Sequence, residues 1–564
     1  MFIKLTRSGS HTYAQLVESF RDESGKPRQR TLATIGRIDE TDGAVDSLLR
    51  GLLRARGKPA DLAATPQVEF ESALALGDVW ALDQLWKELG FVSLARVFRK
   101  ARYTTPVEHA LRVMVFNRLC DPESKLGVLR WLETVSIPEV DTVSLTHQQL
   151  LRSMDALMDH QEAVDDVVAA LLRPFLIDQD LSLVFYDLTT IRASGLTEQS
   201  DDVRKYGMAK SGLIERQFML GVVQTAEGLP IYHEVFDGNQ AESPTLLPTL
   251  KKVLVRFAHI KRLIVVADRG LLSLDNVDEL RKVMLPSGQA LEFILAVPGR
   301  RYGEFAQTLK DFQSGVADAK EEVVDETRWN ELRLVIAHNP EQAQEQTKLR
   351  RERVASILAK ADQWVGKLDG QDAGAVSRGR KLSDSGAKAR LYHEVSDAHL
   401  ARIIKVDLKT DLFSYTLDEA AQAKAELMDG KLLLVTNVPD QTPVEIVKRY
   451  KSLADIERGF RVLKSEIEIA PVHHRLPQRI RAHAMLCFIA LIVYRVMRQR
   501  LKLAKSDLSP EKALAQLRRI QRHSVSINAC APIAGISTVN ELQSKVFAAL
   551  KTKKPTQDTQ MSLL

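Results

Sequence analysis

The strongest constraint on this chain's fold is a pair of apolar runs that each stop on an aspartate. Leu183-Val184-Phe185-Tyr186 leads into Asp187, and Leu263-Ile264-Val265-Val266-Ala267 leads into Asp268. Runs of this length read as strands fit for burial on both faces. Helical spacing follows at Thr245 to His259, introduced by Pro244, and near Leu274 to Val283, before a third apolar run at Leu291 to Val297. Ile214 to Thr225 and Leu229 to Phe236 form a hairpin pattern around Ala226-Glu227-Gly228. Strands alternating with helices argue for a mixed α/β domain. In open sheets of that class, functional groups gather beyond the carboxyl ends of strands, which is where both aspartates would stand. Taken singly, each is more simply a loop or N-cap aspartate.

The rest of the 564 residues is too long for one core, and about 150 residues per domain gives three or four. Residues 1–40 read as a small β unit, with strands at Thr12–Phe20 and Arg28–Ile35 around the turn Asp22–Pro27. Residues 41–70 read as a weak helix and linker. Residues 71–175 carry helical periodicity, a candidate DNA-binding region without a defensible helix-turn-helix pattern. Residues 181–298 hold the first part of the α/β core. Residues 299–440 read as an insertion off the sheet, with an exposed glycine- and charge-rich loop at Leu368–Arg390. Residues 441–505 return to the core as helices. The first is capped by Thr442 and Glu445 with Pro443 at its first position, and the second spans about 478–502. Residues 506–564 read as a C-terminal helical region ending in a disordered tail from Lys551.

Composition narrows the class. Lys and Arg outnumber Asp and Glu by 79 to 73, giving +6 and a pI near 9.0, a mild lean toward a polyanionic partner. Cys120, Cys487 and Cys530 are far apart and form no CxxC pair, so neither a disulfide framework nor a cysteine zinc site is expected. The N-terminus has no apolar signal core. The longest apolar run, Ala484–Tyr494, is 11 residues, too short to span a bilayer. The expectation is a soluble cytoplasmic protein with no membrane partner.

A third acid gives the aspartates a context. In Lys448–Lys464, Tyr450, Glu457 and Lys464 are spaced by seven, which on one continuous helix puts them on one stripe. Arg461 lies one turn past Glu457. A solvated salt-bridged stripe explains such spacing as well. Together with Asp187 and Asp268, however, a helical glutamate with basic neighbours suits two Mg²⁺ ions about 4 Å apart, the arrangement that cleaves phosphodiesters. Mg²⁺ takes hard oxygen ligands, and three close carboxylates would repel one another without metal. Arg461 and Lys464 would face phosphate. Arg475, Arg479 and Arg481 form a basic cluster that is either a solvated face or a phosphate contact. Arg378, Arg380 and Lys381 suit salt-sensitive phosphate binding or a plain loop. His473-His474 have no partner at ligand spacing and read as a DNA contact or loop, and His483 as a core residue. Tyr206-Gly207 lie between the first two core strands.

At these residues the chain resembles the DDE transposases of bacterial insertion sequences, and most closely the insertion-sequence-four superfamily. That superfamily's signature is Tyr, two residues, Arg, three residues, Glu, six residues, Lys. Here it reads Tyr450, Leu453, Glu457 and Lys464, so leucine replaces the arginine. Similarity continues through EVFDGNQAESPTL (234–246), PVHHRLPQRIRAHAMLCFIAL (471–491) and the N-terminal stretch from Tyr13. The resemblance implies a ribonuclease H-like mixed sheet interrupted by a β-rich insertion before its last acid. It implies Asp187, Asp268 and Glu457 as catalytic, metal-binding residues, with two Mg²⁺ (Mn²⁺ able to substitute). Tyr450, Arg461, Lys464, Arg475 and Arg479 would contact DNA. It implies cutting at terminal inverted repeats and joining the 3′-hydroxyl ends to target DNA by a homodimer associated with the nucleoid. A catalytically inactive or domesticated DNA-binding protein, and a metal nuclease that cuts without joining, are the competing classes.

Overall fold

The computed structural model describes the chain except residues 38–50, 57–67, 100–102, 104, 176–181, 196–198, 200, 210–211, 272–273, 317–318, 375–380, 528–531 and 557–564. Two compact units emerge, one of Met1–Ala73 with Arg522–Ile536 and one of Leu74–Gln521 with Ser537–Leu564. The smaller contains the antiparallel sheet β1 (Phe2–Ser8), β2 (His11–Arg21) and β3 (Pro27–Arg37). The hairpin expected at residues 12–35 is β2–β3, and β1 adds a strand that the sequence reading missed. A second sheet, β17–β16–β4, joins β4 (Val68–Ala75) to β16 (Gln521–Ile527) and β17 (Ile533–Ile536). The helical reading of residues 71–175 therefore begins too early, and that of 506–564 overlooks two strands. Most of 41–70 lies outside the described residues.

In the larger unit, helices α1 (Gly77–Glu88), α2 (Leu94–Arg99), α3 (Val107–Cys120), α4 (Lys125–Leu132), α5 (His147–Asp159) and α6 (Gln161–Leu172) precede a nine-stranded mixed sheet. Its order is β11–β12–β15–β10–β9–β5–β7–β6, with β8 also on β7. The centre is parallel: β5 (Ser182–Arg192), β9 (Leu263–Ala267) and β10 (Glu292–Ala296). Every residue of β9 is fully buried, which accounts for its unbroken apolar run. The hairpin β7 (Ile214–Thr225) and β8 (Pro230–Asp237) adds antiparallel strands beside β5. β6 (Lys205–Met208) pairs with β7 at the edge and contains Tyr206 and Gly207.

Two expectations fail here. β5 does not end on Asp187 but runs five residues further, because β7 keeps pairing with it as far as Arg192. What stops at Asp187 is the parallel pairing with β9, whose last partner pair is Tyr186 with Ala267. Nor does the sheet stop before residue 299. β11 (Val323–Trp329), β12 (Leu332–His338) and β15 (Lys431–Thr436) extend it antiparallel from β10. Only the stretch between β12 and β15 leaves the sheet. There α10 (Pro340–Asp372), α11 (Asp384–Asp397) and the β13–β14 pair (Ile404–Val406, Tyr415–Leu417) share a separate apolar cluster around Ala361, Ala387 and Leu391. The expected exposed loop at 368–390 is largely the end of α10 and the start of α11. Arg378 and Arg380 lie outside the described residues.

Alternation along β5 sorts its side chains between two layers. Tyr186 points to one face, where its hydroxyl donates to Thr245 Oγ1 at 2.9 Å, just before α7 (Leu246–Arg256). On the other face lie α13 (Pro443–Lys451), α14 (Ala454–Ser465) and α15 (Pro477–Leu503). α13 has the expected capping box, Thr442 and Glu445 satisfying one another's backbone N–H, with Pro443 at its first position. α15 is long and apolar enough by composition to cross a membrane, yet 94% of its most apolar stretch is buried in the protein. It is hydrophobic nearly all round because it packs on β8, α3, α5 and α17 (Glu541–Leu550). The expected tail is in part anchored: the Lys553 carbonyl accepts from Trp80 Nε1 and Gln84 Nε2, both at 2.8 Å.

Beyond β5, the chain is tied by Arg204, 1% exposed. Its guanidinium pairs with Asp202 and donates to the carbonyls of Ser194, His474 and Arg475. Asp202→Asn leaves this buried cation without its counter-charge, a loss of about 3–5 kcal/mol. Urea unfolding of the variant should show that loss at an unchanged m-value.

Candidate active site

Asp187 and Asp268 are brought together by strand register. The partner pairs of β5 and β9 all differ by 81 in residue number, from Ser182–Leu263 to Tyr186–Ala267, and so do the two aspartates. They occupy the next register position on adjacent strands, whose backbones lie about 5 Å apart. Asp187 is half-buried and accepts from the Leu188 N–H at 2.7 Å, whereas Asp268 is exposed.

The face that bears Asp187 is the one α14 covers. Gln224 on β7 pairs with Phe185, which shares a face with Asp187 two residues on. A Cβ added at Gly459 of α14 would stand 2.7 Å from the Gln224 amide nitrogen and 2.9 Å from the Arg495 guanidinium. Gly459 therefore lets α14 lie close against this face. Sequence reasoning missed Gly459, Gln224 and Arg495. Their one legible signal is a glycine inside a helical pattern, which marks close packing only weakly. Glu457 itself is exposed. At 3.6 residues per turn it lies about 100° round α14 from the buried Ile456, on the helix flank, with Lys464 on the same flank and Arg461 further outward. Ile456, Phe460 and Leu463 form the buried stripe.

The single stripe expected for Tyr450, Glu457 and Lys464 is not formed by one helix. α13 ends at Lys451 and α14 begins at Ala454, with Ser452 and Leu453 at the break. Leu453, the leucine in place of the signature arginine, is 9% exposed and caps the start of α14. An apolar anchor thus sits where a cation was expected. Tyr450 instead reaches back from α13, and its hydroxyl donates to Asp268 Oδ1 at 2.7 Å. Burial, and then the Asp268 carboxylate, raise the Tyr450 phenol well above its ordinary range, so it stays protonated as a donor. Tyr450 thereby contacts the second aspartate, where the sequence suggested phosphate.

The other candidates are dispersed. Arg479 forms a two-point pair with Asp155, 2.7 Å at each contact. Arg475 is exposed, its carbonyl held by Arg204. His483 is buried and its ring nitrogen lies 3.1 Å from the Ile469 carbonyl, as expected of a core residue. Among the described residues, no three His, Cys, Asp or Glu side chains stand close enough to hold a metal together. The donor chemistry nevertheless fits a hard divalent cation: two aspartates in matched register, and a glutamate on the helix against the same face.

A sheet with parallel central strands, two aspartates at one register level and an acid-bearing helix on the same face defines a mixed α/β protein. A family model described as a transposase DDE domain matches residues 178–493, and one described as the N-terminal domain of IS1634 family transposases matches residues 3–65. The first covers more than half the chain, which belongs to the DDE transposases of insertion sequences. No curated protein matches it.

Tyr450→Phe deletes the hydrogen bond that the Tyr450 hydroxyl donates to the Asp268 carboxylate without changing ring packing. A hydrogen bond to a charged group contributes about 1.5–3 kcal/mol. The expected result is DNA-strand cleavage slowed about 10-fold or more, with the circular dichroism spectrum unchanged. Cleavage at the wild-type rate would remove Tyr450 from the site.

Proposed function

We propose that this transposase cuts DNA at the terminal inverted repeats of its element and joins the freed 3′-hydroxyl ends to target DNA. The observation that carries this reading is the shared register of Asp187 and Asp268 under the helix of Glu457. Asp187, Asp268 and Glu457 would hold two Mg²⁺ ions (Mn²⁺ substituting). Bound metal supplies an activated attacking oxygen and neutralises the leaving one.

The chain's own part is positioning and charge. β5 and β9 hold two carboxylates at one level. Tyr450 restrains Asp268 by donating to its Oδ1. Gly459 allows α14 to lie low enough for Glu457 to approach from the flank. Arg461 and Lys464, exposed on the same helix, are suited to phosphates flanking the cut, and the exposed Arg475 to a more distant one, whereas Arg479 is engaged by Asp155. An antiparallel triplet, β8–β7–β5, continued by parallel β9 and β10, supports a ribonuclease H-like core. The elements between β12 and β15 support an insertion shorter than residues 299–440. The spacing of Tyr450, Glu457 and Lys464 supports the insertion-sequence-four superfamily. We further infer a homodimer acting on double-stranded DNA in the cytoplasm at the nucleoid.

Asp187→Asn, Asp268→Asn and Glu457→Gln should each reduce cleavage of a terminal-repeat duplex at least 1,000-fold, as should EDTA, while end-binding measured in EDTA stays within about 3-fold. Any one of them cutting at the normal rate would remove that residue from the assignment. Lys464→Ala should weaken end-binding and lower its salt slope by about one. An unchanged slope in a salt titration would count against its contact with phosphate.

A further inference from the structure

Away from the aspartates, a cavity of about 550 Å³ opens between α4, the start of α15 and the segment 468–476. Two buried cations line it. Lys125 and Arg118 are each 6% exposed. Arg118 donates to the carbonyls of Glu123, Ile467 and Glu468. These neutral acceptors take up its Nη hydrogens without cancelling its charge, and among the described residues its Nε has no hydrogen-bond partner. Among the described residues, no hydrogen bond or ion pair engages the Lys125 ammonium. Burial, with Arg118 beside it, pulls Lys125 down to about 7. His473, His474 and Arg475 add polar or cationic groups at the rim. The lining carboxylates, Glu123 and Glu468, form no ion pair with either buried cation, and Arg479 is already paired with Asp155.

Among the described residues no anion pairs with these two adjacent buried cations, which leaves their desolvation uncompensated. A doubly charged ligand would relieve both. The cavity volume lies within the range that accommodates a nucleotide-sized molecule. We propose that this cavity binds a phosphate-bearing group, with Lys125 as the anchoring cation and Arg118 behind it. Val472 bridges to Ala193, six residues past Asp187 along β5, so the cavity lies about 20 Å from the aspartates. A phosphate held there is not one being cut, and its binding does not depend on the three acids. It could belong to a free nucleotide or to a DNA backbone.

The test uses the full chain in EDTA, so that it reads binding alone. Deoxyadenosine monophosphate and inorganic phosphate are titrated by calorimetry, and a labelled duplex by anisotropy. Lys125→Met should weaken binding of the nucleotide or of the duplex at least 10-fold without lowering the melting temperature, since it removes an unpaired buried charge. Leu126→Glu, at an exposed position on the rim, should weaken the same ligand about 10-fold and tests the site whether or not Lys125→Met folds. Loss of duplex binding, with nucleotide competing against duplex, assigns the ligand to DNA. Loss of nucleotide binding alone assigns a free nucleotide. If all three ligands bind both variants as they bind wild type, or Lys125→Met melts lower while Leu126→Glu binds normally, the cavity is not a phosphate site.

Discussion

Everything at the candidate site depends on the register between β5 and β9. In a parallel pair each partner is fixed by evenly spaced hydrogen bonds, and a slip of one residue would turn every side chain on β5 to the opposite face. Tyr186 would then leave Thr245 and Asp187 would leave the layer covered by α14. That register is heavily constrained. β9 is buried throughout, and Tyr186 fits only because Gly221 on β7 leaves room: a Cβ there would stand 2.8 Å from the tyrosine hydroxyl. Core packing and site geometry are therefore one constraint.

The second dependence is the break between α13 and α14. One straight helix from Pro443 to Ser465 would keep Tyr450 and Glu457 on a single stripe. Breaking it at Ser452–Leu453 lets α13 cover β9 and β10, where Tyr450 meets Asp268, and α14 cover β5, the strand of Asp187. Leu453 anchors the break by burial, a task for which arginine would need a partner.

Much of this was legible in the sequence. The apolar runs marked β5, β9 and β10, the hairpin β7–β8 followed from its turn residues, and the capping box placed the start of α13 to the residue. The failures share a cause. Hydrophobic periodicity reports burial, not pairing, so it could not say that β5 continues beyond Asp187 on the strength of β7 alone. Nor could it say that β11, β12 and β15 join the same sheet, since membership is decided by partners distant in sequence. The helix break was invisible because Ser452 and Leu453 both keep helical backbone angles and neither is glycine or proline. At the site, the two apolar runs pointed to Asp187 and Asp268 as neighbours, but the contact of Tyr450 with Asp268 was not legible, because the two lie 182 residues apart.

Arg204 joins the two regions of functional interest. One side chain holds the carbonyl of Ser194, just past the end of β5, and those of His474 and Arg475, which border the cationic cavity. Its charge is balanced by Asp202, and a buried cation with a counter-ion and three carbonyl acceptors has little freedom to move. The end of the aspartate strand and the rim of the cavity are therefore fixed to one rigid point. A phosphate seated at Lys125 would be held at a set distance from Asp187 along β5, as a duplex lying across both regions would require.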